Sequence, residues 1–286
     1  MNNRKFLILA WLPALAAMLI GCGKLGSGDV WGEVKDNGTK TSQVVANQTI
    51  SSTAMGRTVK YSAWLPPSYD ETKTYPVLYL LHGYENDPTD AHNKWLSTET
   101  MYGYANGGNL DYIASQYVKG GGESFIIVTP NCPNDFYRDI PGGDQYDTFF
   151  IKEFIPAVEK KFHGNGKRAI AGLSMGGYGT LYYGFRYPEM FTVMYAMSPA
   201  TSAFGEPSPT LASLVPGTDV SKLPELTIET GTDDMTVSLN SVQSFVNRLK
   251  ANNIPHDFIT RAGGHDWAFW QGCLPKTLNV VGKSFK

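Results

Sequence analysis

The sequence has no concentration of positive charge. Its 24 Lys and Arg residues are matched by 26 Asp and Glu residues, so that the formal net charge is −2 at pH 7. Proteins that bind nucleic acids normally carry a basic patch or stripe that contacts the phosphates. The absence of any long Lys/Arg block therefore argues against a nucleic acid as the partner of this protein.

The sequence also lacks internal repeats, and its composition changes only once, near the N-terminus. Hydrophobic residues make up 42% of the 286 residues and charged residues only 17%, a balance that is typical of globular proteins rather than disordered ones. We therefore expect one large domain over residues 47–286.

The N-terminal segment has the order of a secretory signal. Arg4 and Lys5 precede an uncharged apolar run that ends in LIGC at Cys22. LIGC resembles a bacterial lipobox, in which the cysteine becomes the lipidated first residue of the mature protein. We therefore expect a signal peptide over residues 1–22, a flexible Gly/Ser/Thr/Asn-rich linker over residues 23–46, and an exported, membrane-anchored lipoprotein at the cell surface or in the periplasm. A plain secretory signal is the alternative.

Cysteine is scarce, since the chain contains only three such residues. If Cys22 is lipidated, Cys132 and Cys273 remain as one possible disulfide pair in an exported protein. Two free buried thiols are an equally ordinary arrangement. The sequence leaves both possibilities open.

Short apolar runs alternate with longer stretches of helical periodicity. The runs RTVKYSAWL, YPVLYLLHG, SFIIVTP, RAIAGLS, FTVMYAMSP and LTIETGTDD predict strands. The stretches QYDTFFIKEFIPAVEKKFHG, MGGYGTLYYGFRYP and VSLNSVQSFVNRLKANN predict helices. This alternation predicts an α/β fold with a mostly parallel central sheet, helices on both faces, and a ligand site beyond the carboxyl ends of the strands.

The stretch AGLSMGGYGT surrounds one serine with glycines. Ser174 lies between Gly172 and Gly176, directly after a predicted strand and directly before a predicted helix. Gly-x-Ser-x-Gly is common by chance, but in this strand-to-helix context it indicates a nucleophile elbow that projects the hydroxyl above the sheet. Gly177 would let the helix approach the strand closely. We therefore predict that Ser174 is a catalytic nucleophile.

A serine nucleophile requires a base that takes its proton. His265, in TRAGGHDWAFW, follows the last predicted strand, and two glycines before it suit a loop that bends back over the sheet. Because His265 also follows Ser174 in the chain, it is the predicted general base. The other histidines have structural explanations: His82, His92, His163 and His256.

The base in turn requires an acid that fixes its tautomer. The stretch LTIETGTDDM offers Asp233 and Asp234 immediately after a predicted strand, in the chain order Ser, Asp, His that this architecture uses. Asp266 is a weaker candidate because it would have to fold back onto its neighbour, His265. From position alone, either Asp233 or Asp234 can be the acid.

Acyl transfer also requires N–H donors for the oxyanion. We expect the backbone N–H groups of Met175, at the start of the helix, and Tyr84, after the strand YPVLYLL. Aromatic residues near the expected site mouth are candidates to stack on a phenolic acyl group or a sugar ring, with a place in the core as the alternative for each: Tyr84, Trp95, Trp267 and Trp270. This chemistry requires no metal and no organic cofactor.

Taken together, these segments resemble a known family. From YSAWLPPSYD through YPVLYLLHGYEND, AGLSMGGYGT and GTDD to GGHDWAFW, over about residues 55–285, the sequence is similar to the esterase-D-like α/β-hydrolases, specifically carbohydrate esterase family 1. The resemblance implies an α/β-hydrolase fold with Ser174 as nucleophile, His265 as base and Asp234 as acid. It also supports Tyr84 and Met175 as the oxyanion donors.

The family contains feruloyl and acetylxylan esterases. The resemblance therefore implies a serine esterase that removes feruloyl or acetyl groups from xylan through an acyl-enzyme, with an esterified polysaccharide as substrate. An exported enzyme suits this substrate because an insoluble polymer must be attacked outside the cell. Two alternatives are an acyltransferase of the same fold, similar to the mycolyltransferases, and a carbohydrate-binding protein without catalytic activity.

Overall fold

The structure, a computed structural model, describes residues 41–203 and 209–286. The predicted signal peptide, the lipidation site at Cys22 and most of the predicted linker lie outside the described residues. All described residues belong to one compact unit. Within these two ranges, no helix has the length and apolar content that crossing a bilayer would require.

Eight of the described strands form one mixed sheet. The strands of the described ranges are β1 (Gln43–Ser52), β2 (Arg57–Leu65), β3 (Tyr75–Leu81), β4 (Thr100–Met101), β5 (Tyr104–Ala105), β6 (Ile126–Pro130), β7 (Gly164–Leu173), β8 (Val193–Met197), β9 (Glu225–Gly231) and β10 (Asp257–Arg261). The sheet order is β1-β2-β6-β3-β7-β8-β9-β10, and β4 and β5 form a separate hairpin. Within this sheet, only β2 runs opposite to the other seven strands, which confirms the predicted, mostly parallel sheet.

Helices connect the parallel strands. The α-helices in the described ranges are α1 (Leu110–Lys119), α2 (Tyr146–Phe149), α3 (Ile155–Phe162), α4 (Met175–Arg186), α5 (Leu211–Leu214), α6 (Leu239–Ala251) and α7 (Trp267–Ser284), and a π-helical turn at Phe150–Phe154 joins α2 to α3. Every residue of β3, β6 and β8 is buried, so that both faces of the central sheet are covered. The predicted α/β-hydrolase architecture is thus confirmed.

The first strand begins earlier than the sequence predicted. β1 starts at Gln43, so that residues 43–46 are in the sheet and not in a linker. β1 pairs only with β2 at the edge of the sheet, and Ser52 is its single buried residue. A strand with one neighbour and exposed side chains can be largely polar. Residues 43–46 are themselves Gln, Val, Val and Ala, but polar residues flank them on both sides, so that the sequence shows no continuous strand pattern there.

The two cysteines of the described ranges are free thiols. Cys132 follows β6, and its Sγ lies 3.1 Å from Oδ1 of Asp135. Cys273 lies in α7, where its Sγ accepts a hydrogen bond of 3.1 Å from Arg261 Nη2. Of the two arrangements that the sequence left open, the structure has the unpaired one.

The parallel strands bring distant segments to one rim of the sheet. The carboxyl ends of β3, β7, β9 and β10 point in the same direction, because these strands are connected by parallel pairings through β8. The segments that follow them contain the residues singled out in the sequence: Tyr84, Ser174, Asp233, Asp234 and His265. In this architecture the carboxyl rim is the expected place for a ligand site.

Candidate active site

Ser174 lies on a sharp turn between β7 and α4. Its backbone angles are φ 53° and ψ −115°, a conformation that costs a non-glycine residue about 1–3 kcal/mol. The turn is held by backbone hydrogen bonds: Ser174 N–H donates to Met197 O at 2.9 Å, and Ser174 O accepts from Tyr178 N–H and Ala200 N–H, both at 3.0 Å. The local structure therefore fixes the position of the serine hydroxyl above the sheet.

The neighbouring glycines serve close packing. A Cβ atom on Gly176 would lie 2.5 Å from the carbonyl oxygens of Leu81 and His82, and one on Gly177 would lie 2.8 Å from Cα of Pro199. Both distances are too short for a real Cβ contact, so that α4 can approach the strands only with glycine at these positions. The positive φ of this turn belongs to Ser174 itself.

His265 connects the serine to a carboxylate. Its Nε2 lies 2.9 Å from Oγ of Ser174, and its Nδ1 lies 2.7 Å from Oδ2 of Asp234. With the proton on Nδ1, the imidazole donates to Asp234 and its Nε2 can accept the serine proton. The His265 side chain is 14% exposed and that of Asp234 is fully buried. The structure thus brings together three residues that are far apart in the chain.

Asp234 is fixed by its own turn. Its second oxygen, Oδ1, accepts hydrogen bonds from the backbone N–H groups of Thr236 at 2.9 Å and Val237 at 2.7 Å. Both carboxylate oxygens are therefore engaged, one by the turn and one by the imidazole. These bonds hold the carboxylate in the position at which it meets His265.

The two other aspartates considered in the sequence have different contacts. Asp233 is exposed, and its Oδ2 accepts from Gly263 N–H at 3.2 Å. Asp266 caps α7, because its Oδ1 accepts from Phe269 N–H at 2.8 Å. The structure therefore brings Asp234 to the imidazole, and neither Asp233 nor Asp266.

The segment after β3 packs against the nucleophile turn. A Cβ atom on Gly83 would lie 2.6 Å from Cδ1 of Leu173 and 3.5 Å from Cβ of Ser174. The backbone at position 83 is therefore in contact with the turn, and the N–H of Tyr84 follows directly. Met175 is the first residue of α4, where a backbone N–H has no acceptor within the helix. Of the two predicted oxyanion donors, Met175 therefore directly follows the serine, and Tyr84 follows a residue that packs against the serine turn.

His82 holds this segment in place. Its Nδ1 lies 2.7 Å from Gly83 O, and its Nε2 accepts from Cys132 N–H at 2.9 Å. The carbonyl oxygen of His82 accepts from Tyr137 Oη–H at 2.8 Å. With Nδ1 as a donor and Nε2 as an acceptor, the buried ring must be neutral. These contacts agree with the structural role that the sequence analysis gave to His82.

Asn134 provides a second support that sequence reasoning missed. Its side-chain Oδ1 accepts from Glu85 N–H at 3.2 Å, and its Nδ2 donates to Glu85 O at 2.6 Å. The amide therefore pairs with the backbone one residue beyond Tyr84. No motif marks Asn134, since the contact joins segments 49 residues apart.

Burial lowers the pKa of His82 from 6.5 to about 4. The unfolded chain therefore binds a proton more readily than the folded protein between these values, so that stability falls as the pH decreases through this window. At pH 4 we expect wild type to have lost about 3 kcal/mol of unfolding free energy through this group.

The measurement is urea denaturation at several pH values between 7.5 and 4. The variant His82→Gln, which cannot titrate, should lose less unfolding free energy than wild type over the same interval. Equal losses in the two proteins would contradict the buried, neutral state of His82.

The three tryptophans that the sequence offered as substrate contacts are core residues. Trp95 is fully buried and its Nε1–H donates to Leu81 O at 3.0 Å, whereas Trp267 and Trp270 are only 7% and 6% exposed. The prediction of substrate contact is therefore wrong for Trp95, and the other two rings expose too little surface for a sugar or phenol to stack on. The rings instead form edge-to-face contacts: Trp95 with Trp267 at 5.3 Å, Trp267 with Trp270 at 5.3 Å, and Trp270 with His265 at 4.9 Å.

Tyr84 differs from the tryptophans. Its side chain is 61% exposed, although its backbone lies beside the nucleophile turn. Of the four aromatic residues predicted to contact substrate, Tyr84 is therefore the one whose ring is accessible.

Comparisons with known proteins identify the family and similar enzymes. The model of the Esterase family, described as "Putative esterase", matches residues 52–280. An acetyl esterase of Caldicellulosiruptor saccharolyticus is 27% identical over 253 residues, which cover 74% of this chain and 85% of that protein. An endo-1,4-beta-xylanase/feruloyl esterase of Xylanibacter ruminicola is 26% identical over 249 residues, which cover 82% of this chain but only 31% of that longer protein.

A solved structure has a similar fold. A ferulic acid esterase superposes with a TM-score of 0.74 and 32% sequence identity, and the match covers 86% of this chain and 100% of that protein. The likeness therefore extends over the whole of that enzyme.

Proposed function

Because the chain belongs to the Esterase family and is a serine esterase, we propose that it hydrolyses feruloyl or acetyl esters on a plant cell-wall polysaccharide such as xylan. The observation that supports this reaction is the hydrogen-bonded triad of Ser174, His265 and Asp234. The acyl groups are proposed from the ferulic acid esterase and acetyl esterase to which the chain is similar.

In the proposed first step, Ser174 Oγ attacks the ester carbonyl carbon while Nε2 of His265 takes the hydroxyl proton. The carbonyl oxygen becomes an oxyanion that accepts hydrogen bonds from the N–H groups of Tyr84 and Met175. Asp234 stabilises the imidazolium. Collapse of the intermediate breaks the bond to the sugar oxygen, which receives the proton from His265, and the acyl group stays on Ser174.

In the second step, water replaces the sugar. His265 takes a proton from the water, whose oxygen attacks the acyl carbon and forms a second oxyanion in the same place. The bond to Ser174 Oγ then breaks, the serine recovers its proton from His265, and the free acid leaves. Each proton that His265 accepts is returned within the same step, so that no cofactor enters the cycle.

The substrate assignment is tested by a panel of esters. We expect kcat/KM for methyl ferulate or for acetylated xylan to exceed that for an aryl butyrate by about tenfold or more, because a pocket distinguishes substrates by the groups that it contacts. Hydrolysis of aryl esters without turnover of either cell-wall ester would contradict the proposed substrate. Acylated sugars formed in the presence of a sugar acceptor would indicate acyl transfer instead.

We further propose that the protein acts outside the cytoplasm as a lipoprotein anchored through Cys22. The support is the order of charged residues, apolar run and LIGC in the sequence. Cys22→Ala should abolish incorporation of labelled palmitate and leave the protein out of the membrane fraction. A Cys22→Ala protein that is still acylated and membrane-bound would contradict the anchor.

A further inference from the structure

A small hairpin exposes aromatic side chains at the surface. In the hairpin of residues 100–105, here called the tyrosine hairpin, Met101 of β4 pairs with Tyr104 of β5, and Tyr102 and Gly103 form the turn. The exposed fractions are 54% for Met101, 93% for Tyr102 and 76% for Tyr104. Directly opposed residues of two paired strands lie on the same face. Met101 and Tyr104 therefore form one apolar surface, with Tyr102 at its tip.

Folding does not account for a tyrosine at the tip. Both turn residues have positive φ, 52° at Tyr102 and 83° at Gly103, as in a type I′ turn. Asparagine followed by glycine is the preferred pair in such a turn, whereas a bulky residue with positive φ is strained. Because the Tyr102 side chain is almost entirely exposed, burial does not compensate for this strain. Strained and exposed residues of this kind are a reason to look for a ligand.

The tyrosine hairpin is connected to the candidate active site through α7. Beyond its base, Gly107 O accepts a hydrogen bond of 2.6 Å from Gln271 Nε2 of α7. Gln271 follows Trp270, whose ring packs against that of His265. A Cβ atom on Gly108 would lie 2.5 Å from Trp95 O, so that this base is packed tightly onto the core. The segment that follows the exposed tyrosines is therefore held by the same helix whose Trp270 ring packs against His265.

We propose that the tyrosine hairpin is a carbohydrate-binding platform, on which Tyr102 and Tyr104 stack against sugar rings of the polymer while an ester of that polymer occupies the site at Ser174. This inference rests on the proposed function, which supplies the polymer. The C–H groups on the face of a sugar ring are suited to the negative face of an aromatic ring, and the tyrosine hydroxyls can bond the sugar hydroxyls. The platform would act on long substrates and add little for a small ester.

The charge of the surrounding segment favours a neutral polymer over a membrane. No Lys or Arg occurs between Lys94 and Lys119, whereas Glu99 and Asp111 lie in that interval. Segments that bind anionic lipid surfaces normally contain clustered basic residues. An uncharged polysaccharide requires none.

The experiment measures the affinity of the purified protein for soluble, de-esterified arabinoxylan by affinity gel electrophoresis. Tyr102→Asn removes the ring and introduces the Asn-Gly pair preferred in this turn, so that its melting temperature should not fall. We expect Tyr102→Asn and Tyr104→Ala each to raise Kd about fivefold or more, and Tyr104→Trp to restore binding. Thr100→Ala, on the other face of the same hairpin, is the matched control and should bind as wild type does.

Unchanged affinity in both tyrosine variants, or no affinity of wild type for arabinoxylan, would overturn the platform. Binding to phosphatidylglycerol vesicles that depends on the tyrosines, without such dependence for arabinoxylan, would also overturn it and assign the hairpin to a membrane. The ester panel gives a separate result. If wild type hydrolyses no cell-wall ester but binds arabinoxylan through the tyrosines, the proposed function fails and the platform stands.

Discussion

Replacing Ser174 by alanine should lower kcat/KM for an aryl ester by roughly 10⁴- to 10⁶-fold and leave the fold intact. The change removes only Oγ, the atom that lies 2.9 Å from Nε2 of His265. Alanine keeps the Cβ atom that already occupies the strained turn, and the three backbone hydrogen bonds of Ser174 do not involve the hydroxyl. The measurements are steady-state hydrolysis and thermal unfolding.

Ser198→Ala provides a matched control for this prediction. Ser198 follows β8, is fully buried, and also has a positive φ, of 40°. Within the described part of the chain its Oγ has no hydrogen-bond partner. Loss of that hydroxyl should therefore change kcat/KM by less than about twofold and should not lower stability. Comparable losses of activity in Ser174→Ala and Ser198→Ala would show that position 174 has no special role in the chemistry.

The sequence is sufficient to predict the centre of the sheet. β3, β6 and β8 are buried on both faces, and strands in that position are nearly continuous apolar runs, which are visible without any structure. The edge strand β1 gives no such signal, because six of its ten residues are polar and only one is buried. Edge strands are therefore the elements that a sequence pattern is least able to distinguish from a linker.

The members of the candidate site could be predicted because their positions in the chain, each shortly after a strand, determine where they lie in the fold. Ser174, Asp234 and His265 each follow a strand of the same parallel set, so that the topology alone brings them to one rim. Chain order does not decide between Asp233 and Asp234. Consecutive residues in a turn point in different directions, and only the backbone angles decide which of the two carboxylates faces the imidazole.

Contacts between distant segments account for the remaining differences. Asn134 supports the backbone at Glu85, but nothing in PNCPNDFYRD distinguishes this amide from a loop residue. Trp267 and Trp270 begin a helix near the site, and the sequence cannot tell whether such rings face a ligand or the core. In the structure they pack on each other, and Trp270 also packs on His265. Any effect of Trp267 and Trp270 on catalysis would therefore come from how they position the imidazole of His265.

Replacing Asp234 by asparagine should lower kcat by about 10⁴-fold, and Asp233→Asn should have little effect. The variant keeps the shape of the side chain and changes one oxygen to an NH₂ group. Because the Oδ1 position accepts from Thr236 N–H and Val237 N–H, the amide oxygen of the asparagine will occupy it. The NH₂ group must then face Nδ1 of His265, the atom that donates to Asp234 in wild type.

An NH₂ group at this position changes the tautomer of His265. Nδ1 would have to accept from the amide, which moves the ring proton to Nε2, and a protonated Nε2 cannot take the proton of Ser174. The expected loss is therefore in kcat, with the fold and KM nearly unchanged, whereas the exposed carboxylate of Asp233 can lose its charge without altering the imidazole. Steady-state kinetics of the two variants side by side provide the measurement. A larger loss in Asp233→Asn than in Asp234→Asn would mean that the hydrogen bond between Asp234 and His265 does not control the proton transfer.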